Sequence, residues 1–96
     1  MFMRITMLLK DMMNACAHEK VAEAALASIG GAFHARVRKA AHHRRQTPGA
    51  YAATSVTLFR TQADAHAYTQ LSDAIRGTDR PILAGLRLIV ERTLTC

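Results

Sequence analysis

The sequence predicts an α+β fold in the order β-α-β-β-α-β, with an antiparallel sheet and two helices on one face. Three observations predict it. Residues 11–29 and 61–77 repeat apolar side chains at helical spacing. Residues 32–41 and 51–60 alternate apolar and polar side chains, as a half-buried strand does. Residues 82–90 place apolar side chains in period two, which predicts the last strand: Ile82, Ala84, Leu86, Leu88 and Val90.

The first two elements are a short strand and a long helix. Residues 4–9 alternate, and three apolar side chains fall on one face: Ile5, Met7 and Leu9. A helix follows from about residue 11 to residue 29. At about 100° per residue, its buried stripe consists of Ala17, Val21, Ala24, Ala25 and Ile29. Gly30-Gly31 ends the helix, since glycine is favoured just after a helix C-terminus.

Residues 32–41 fit two structures. As a helix, four apolar residues follow the spacing i, i+4, i+7, i+8: Phe33, Val37, Ala40 and Ala41. As a strand, Phe33, Ala35 and Val37 alternate with His34, Arg36 and Arg38. Pairing this strand with residues 54–58 places the apolar side chains of both strands on one face of a hairpin. The two alternating patterns thus agree on a single register, which favours the strand.

The second half of the sequence contains the clearest signals for turns and helix ends. Thr47-Pro48-Gly49 predicts a turn, and residues 51–60 are rich in β-branched and aromatic side chains. Thr61 to Asp64 has the spacing of a capping box and predicts the start of a helix that ends at Gly77. The buried stripe of that helix is Ala67, Leu71, Ala74 and Ile75. Gly85 disfavours a helix over 82–90. The resulting order is that of the ferredoxin-like fold.

The charge distribution is the strongest functional clue. Residues 24–63 contain no acidic side chain, and the formal charge of +6 arises entirely within them, because the acidic and basic residues elsewhere are equal in number. A localised positive field selects anionic partners, so we expect the predicted hairpin to bind nucleic acid or an acidic protein. The predicted contact residues are Arg36, Arg38, Lys39, Arg44 and Arg45. Charged residues on an edge strand are the alternative, since they block unwanted strand pairing.

Length and cysteine content bound the class of protein. Ninety-six residues predict a single domain, 1–96. Two cysteines, Cys16 and Cys96, make a poor disulfide framework and favour a reducing, cytoplasmic location without a membrane anchor. The apolar run near the N-terminus is too short for a secretory signal. The open face of the predicted sheet exposes Leu8, Phe59, Leu83 and Ile89, which predicts a homodimer.

One segment resembles a known family. The pattern Gly49-x-Tyr51-x-Ala53-x-Ser55-Val56-Thr57-Leu58-x-x-Thr61-x-x-Asp64, followed by Tyr68-Thr-Gln-Leu71, is similar to the second hairpin strand and second helix of the YbeD-like proteins. That resemblance implies an ACT-like ferredoxin fold. It suggests, as an alternative function, a dimeric regulatory domain that binds a small ligand.

A second resemblance points to a helical structure. Val21-Ala-Glu-Ala24, Ser28, Ala32-Phe33-His34, Val37-Arg38-Lys39 and Gln46-Thr-Pro-Gly-Ala-Tyr51 resemble the second helix-turn-helix of AraC-type regulators. In that family, the second helix of the motif enters the major groove of DNA. The resemblance implies a further alternative, a helix-turn-helix regulator.

No catalytic residues, cofactor site or metal site are predicted. His42 and His43 are adjacent in a loop, without the paired ligands that a zinc site needs. Cys16 falls near Glu19 and Glu23 on the helical wheel, and acidic neighbours make a thiol a poor nucleophile. The sequence therefore predicts a small, non-enzymatic binding or regulatory protein that acts on nucleic acid or a nucleoprotein complex.

Overall fold

In the computed structural model, residues 10–94 are described, and every regular element within that range is an α-helix. Residues 10–16 form α1. The longer helices follow as α2 (Glu19–Ile29), α3 (Gly31–His43), α4 (Pro48–Gln62), α5 (Ala65–Arg76) and α6 (Pro81–Leu94). The predicted ferredoxin-like α+β fold is therefore wrong. The first predicted strand, 4–9, lies outside the described residues.

Helix α4 lies at the centre of the bundle. It packs against α2, α3 and α6, while α5 packs against α6. Its buried side chains lie at helical spacing: Tyr51, Ala52, Ser55, Val56 and Phe59. The core that they share with the other helices contains Met12, Leu26, Val37, Leu71, Leu86 and Ile89, each at most 2% exposed.

The predicted turn at Thr47-Pro48-Gly49 is the start of α4. The Thr47 hydroxyl accepts a hydrogen bond from the Ala50 amide at 3.1 Å, and Pro48 occupies the first helical position. An N-cap threonine followed by proline at N1 is favoured because the hydroxyl accepts from an unpaired amide, while proline has no amide hydrogen to leave unpaired and its φ already suits a helix. The same three residues fit a turn or a helix start, and the structure contains the helix start.

Residues 51–60 are helical despite their β-branched side chains. Ser55 Oγ donates to the Tyr51 carbonyl at 2.9 Å, and Thr57 Oγ1 donates to the Ala53 carbonyl at 3.1 Å. Bonds of this kind give hydroxyl side chains a partner within the helix. The strand prediction followed local preference, whereas the helical spacing of the buried side chains decides the structure.

The two remaining strand predictions fail for the same reason. In α3, Phe33, Val37 and Ala41 are buried at i, i+4 and i+8, so no hairpin with α4 exists. In α6, the buried residues are Gly85, Leu86, Ile89 and Val90, which is a helical pattern. An alternating apolar run also contains helical spacings, and its period alone cannot separate the two structures.

Gly85 has a packing role rather than a helix-breaking one. A Cβ atom at this position would lie 2.6 Å from Met12 Cε and 3.1 Å from Ile75 Cγ2. The missing side chain allows α6 to approach α1 and α5 closely.

Of the two predicted helices, the first is corrected by the structure and the second is confirmed. The predicted helix 11–29 is interrupted at residues 17–18, and its buried residues from α2 are Ala22, Ala25 and Leu26, so the predicted stripe is displaced. The predicted stripe of α5 is confirmed for Ala67, Leu71 and Ile75, which are buried. Asp64 rather than Thr61 caps α5, with its carboxylate 2.9 Å from the Ala67 amide.

The packing removes the argument for a homodimer. Phe59 and Ile89, predicted to lie on an open sheet face, are 6% and 1% exposed. Leu83 is partly buried against the core, and Leu8 lies outside the described residues. Dimerisation stays a prediction without this support. None of the helices in the described range has the length and apolarity needed to cross a bilayer.

Candidate nucleic-acid interface

Helix α3 has one buried side and one exposed side. Phe33, Val37 and Ala41 fix the buried side against the bundle. At about 100° per residue, the opposite side is centred on Ala32, Ala35, Lys39, His42 and His43, all of which are exposed. The side chains in the N-terminal half of this face are small, and those in the C-terminal half are lysine or histidine. No acidic residue occurs in α3.

Arg36 and Arg38 lie on different sides of α3. The predicted strand placed them on one face, but two residues span about 200° of a helix. Arg36 turns toward α6, where its Nη1 lies 2.9 Å from Glu91 Oε1. Both side chains of this pair are partly exposed, so the pair contributes little to stability, but it places a carboxylate beside Arg36. Arg38 is exposed on the other flank.

Arg44 and Arg45 lie in the turn that joins α3 to α4. The Gln46 amide donates to the Ala41 carbonyl at 2.9 Å, and the Arg45 amide donates to the His42 carbonyl at 3.1 Å. These two bonds form a Schellman motif, which places its C′ residue in the left-handed conformation. Arg45 is that residue, with φ of 56°. Glycine is favoured there, because a side chain costs roughly 1–2 kcal/mol.

The other side chains of the turn contact α4. The Arg44 guanidinium carbon lies 5.8 Å from the centre of the Tyr51 ring, and Gln46 Nε2 donates to Thr54 Oγ1 at 3.2 Å. These contacts hold the turn against α4. The turn thus brings Arg44 and Arg45 to the basic end of α3, close to Lys39 in the chain.

The acidic residues of α2 contact the last residue of the α3–α4 turn and the start of α4. Glu19 Oε2 accepts from Thr47 Oγ1 at 2.8 Å, and Glu23 Oε2 accepts from the Gly49 amide at 3.2 Å. Both carboxylates lie at the N-terminus of α4, where the helix dipole favours negative charge. Residues from α2 therefore stabilise α4, and they do not pair with the basic residues predicted to bind a partner.

Arg87 is a basic residue that the sequence did not link to the site. Its guanidinium carbon lies 5.4 Å from the centre of the Phe33 ring, near the start of α3. The sequence carries no signal for this contact, because Phe33 and Arg87 lie more than fifty positions apart and the pattern of residues 82–90 predicts a strand.

The histidines and the cysteine add no separate chemistry. His42 and His43 are exposed, with ring centres 6.4 Å apart. Within residues 10–94, no group of three His, Cys, Asp or Glu side chains lies together as a metal site requires. Cys16 is fully buried, and burial raises the pKa of its thiol to about 11. The sequence predicts low reactivity from acidic neighbours, whereas in the structure loss of solvation raises the pKa of the thiol.

The fold and the site define a small helical protein with a basic, exposed helix. Comparison with known proteins gives no family: the chain matches no protein-family model, and no significant match occurs among curated sequences or solved structures. The site must therefore be interpreted from its own residues.

Proposed function

We propose that this protein binds duplex DNA through the exposed face of α3 and the α3–α4 turn. The observation that carries the proposal is the exposed face of α3, which is free of acidic residues, carries Lys39 and leads into a turn that contains Arg44 and Arg45. An α-helix fits the major groove of B-DNA. Ala32 and Ala35 leave room for close approach, while Lys39 and the turn arginines reach the phosphate backbone.

Four of the five predicted residues are assigned to phosphate contacts: Arg38, Lys39, Arg44 and Arg45. Arg36 is assigned a different role, because its guanidinium lies against Glu91. Its ion pair links α3 to α6, and the adjacent carboxylate makes Arg36 a poorer partner for a phosphate. The strained backbone of Arg45 supports the assignment, since a conformation that favours glycine holds an arginine instead.

A helix-turn-helix regulator is the second candidate. Residues 32–41 are helical, as the resemblance to AraC-type regulators requires, and α3 follows α2 directly. However, Gly30 alone separates the two helices, whereas the helix-turn-helix motif has a turn of about three to four residues. The proposal therefore rests on α3 rather than on the motif. The ACT-like alternative depended on the α+β fold and is withdrawn.

Fluorescence anisotropy with a labelled 24-base-pair duplex tests the proposal. We expect the variant Arg38→Gln/Lys39→Gln to bind at least fivefold more weakly than the unmodified protein at low salt. The matched control, Arg76→Gln/Arg80→Gln, removes the same charge outside the basic segment. Equal weakening in both variants would show a response to net charge alone and would contradict the proposal.

Competition separates the two candidates. Selection from a random duplex pool, followed by competition with non-specific duplex, measures sequence preference. A general phosphate-binding role predicts similar affinity for selected and unselected duplexes, while a regulator predicts a preference of at least a hundredfold.

A further inference from the structure

A cleft of about 270 Å³ is lined by residues of α4 and α6 together with Arg44 of the α3–α4 turn. Its apolar lining comes from Leu58, Phe59, Ala63 and Ile89. Pockets for drug-sized ligands span about 300–1,000 Å³, so this cleft suits a smaller molecule with a compact body.

The polar lining is cationic. Arg44 and Arg92 both line the cleft, and no acidic side chain does. The Arg92 guanidinium carbon lies 5.3 Å from the centre of the Phe59 ring, as Arg44 lies above Tyr51. Tyr51 and Phe59 are eight residues apart on α4, about 12 Å along the helix axis. The two cations therefore stand above different turns of α4, with apolar side chains nearby.

The hydroxyl groups in the cleft have already donated their hydrogens. Ser55 Oγ donates to the Tyr51 carbonyl at 2.9 Å, and Thr93 Oγ1 donates to the Val90 carbonyl at 2.7 Å. A ligand would meet these oxygens only as acceptors. Within the lining, the Arg44 guanidinium supplies charged side-chain donors, and Arg92 adds a second positive charge.

We infer that this cleft binds a small amphipathic organic anion, with a carboxylate on a compact aromatic or branched aliphatic body. A guanidinium recognises a carboxylate by paired hydrogen bonds, and the apolar lining removes the body of the ligand from water. The inference does not rest on DNA binding, although Arg44 belongs to both sites.

The probe is 2-naphthoate, titrated into the ¹⁵N-labelled full chain and followed by amide chemical shifts. We expect saturable shifts at Ser55, Phe59 and Ile89. The neutral analogue 2-naphthylmethanol has the same ring system without the charge, and we expect it to bind at least tenfold more weakly. Equal affinity for the two compounds would overturn the assignment of an anion site.

Matched variants test the position of the site. Arg44→Gln/Arg92→Gln should weaken 2-naphthoate binding at least tenfold, while the control Arg76→Gln/Arg80→Gln, with the same net charge, should bind within twofold of the unmodified protein. Ala63→Leu keeps every charge and fills the cleft, and it should also weaken binding at least tenfold. Equal effects of the two arginine pairs, or full binding by Ala63→Leu, would show that the anion binds elsewhere.

Discussion

The carboxylate of Glu23 on α2 accepts a hydrogen bond from the backbone amide of Gly49 at the start of α4, at 3.2 Å. This contact joins the acidic face of one helix to the positive end of another. It depends on close approach, because a Cβ atom on Gly49 would lie 2.5 Å from the Glu19 carbonyl oxygen. The position of α4, which carries the contacts of the basic turn, is set at this crossing.

Gly49→Ala should therefore destabilise the protein. Alanine favours a helix over glycine by about 0.5–1 kcal/mol, but overpacking against backbone costs about 1–3 kcal/mol. We expect a net loss of about 1–2 kcal/mol in the free energy of unfolding, measured by urea denaturation. Gly77→Ala is the control, since a Cβ there meets nothing within 4 Å. Equal stability of the two variants would contradict the close crossing.

Arg45→Gly should stabilise the fold. Arg45 has φ of 56°, and glycine adopts this conformation without the steric cost that a side chain carries. We expect a gain of about 1 kcal/mol in the free energy of unfolding. Arg44→Gly, one position earlier at φ of −99°, relieves no such strain and should not stabilise. A loss of stability in Arg45→Gly would show that the side chain makes a compensating contact.

Cys16 should make stability depend on pH above about 9. Burial raises the pKa of its thiol from 9.0 to about 11 in the folded state. Between these values, the unfolded chain has lost this proton and the folded chain retains it, so rising pH favours unfolding. The contribution of the Cys16 thiol to the free energy of unfolding is fully present below pH 9 and is lost as pH rises through 11. The slope of this single group is at most about 1.4 kcal/mol per pH unit.

The measurement compares two chains between pH 7 and pH 11. In a Cys96→Ser background, Cys16 is the single remaining thiol. Urea denaturation of this protein and of its Cys16→Ala variant gives the difference in slope due to Cys16. The same background should resist iodoacetamide at pH 8 unless urea is added. Rapid alkylation of the folded protein would be inconsistent with a buried thiol.

The sequence predicted one helix well because one structure alone explained its pattern. In α5, Ala67, Leu71 and Ile75 share a helical face and have no competing alternation. The runs that became α3, α4 and α6 satisfied both periods, and tertiary packing chose the helix. By local preference Gly85 disfavours a helix, yet its small size allows α6 to contact Met12 closely.

The sequence shows which residues of the candidate site are basic, but it does not show how they are arranged in space. The acid-free segment and its basic residues can be read from the sequence, since charge is visible without a fold, and their role as contacts stays a prediction. The pairing of Arg36 with Glu91 joins residues more than fifty positions apart, and the left-handed backbone of Arg45 depends on how α3 ends. Neither feature leaves a local signal in the sequence.

The proposed DNA contact makes a quantitative prediction about salt. Each phosphate contact on duplex DNA releases about 0.9 counterion, so four contacts give a log–log slope of affinity against salt near −3.6. Reversing the turn pair, in the variant Arg44→Glu/Arg45→Glu, removes two contacts and should bring the slope to about −1.8 or flatter. The melting temperature should change by only a few degrees, because exposed charges contribute little to stability.

The control for this experiment is a charge reversal outside the basic segment. Arg76→Glu/Arg80→Glu changes the net charge by the same amount at the end of α5 and in the turn that follows. If the slope depends on specific contacts, this control should keep a value near −3.6, since its phosphate contacts are intact. A parallel flattening in both variants would assign the slope to overall charge and remove the α3–α4 turn from the interface. Absence of duplex binding at low salt would reject DNA as the partner and leave an acidic protein as the ligand of this surface.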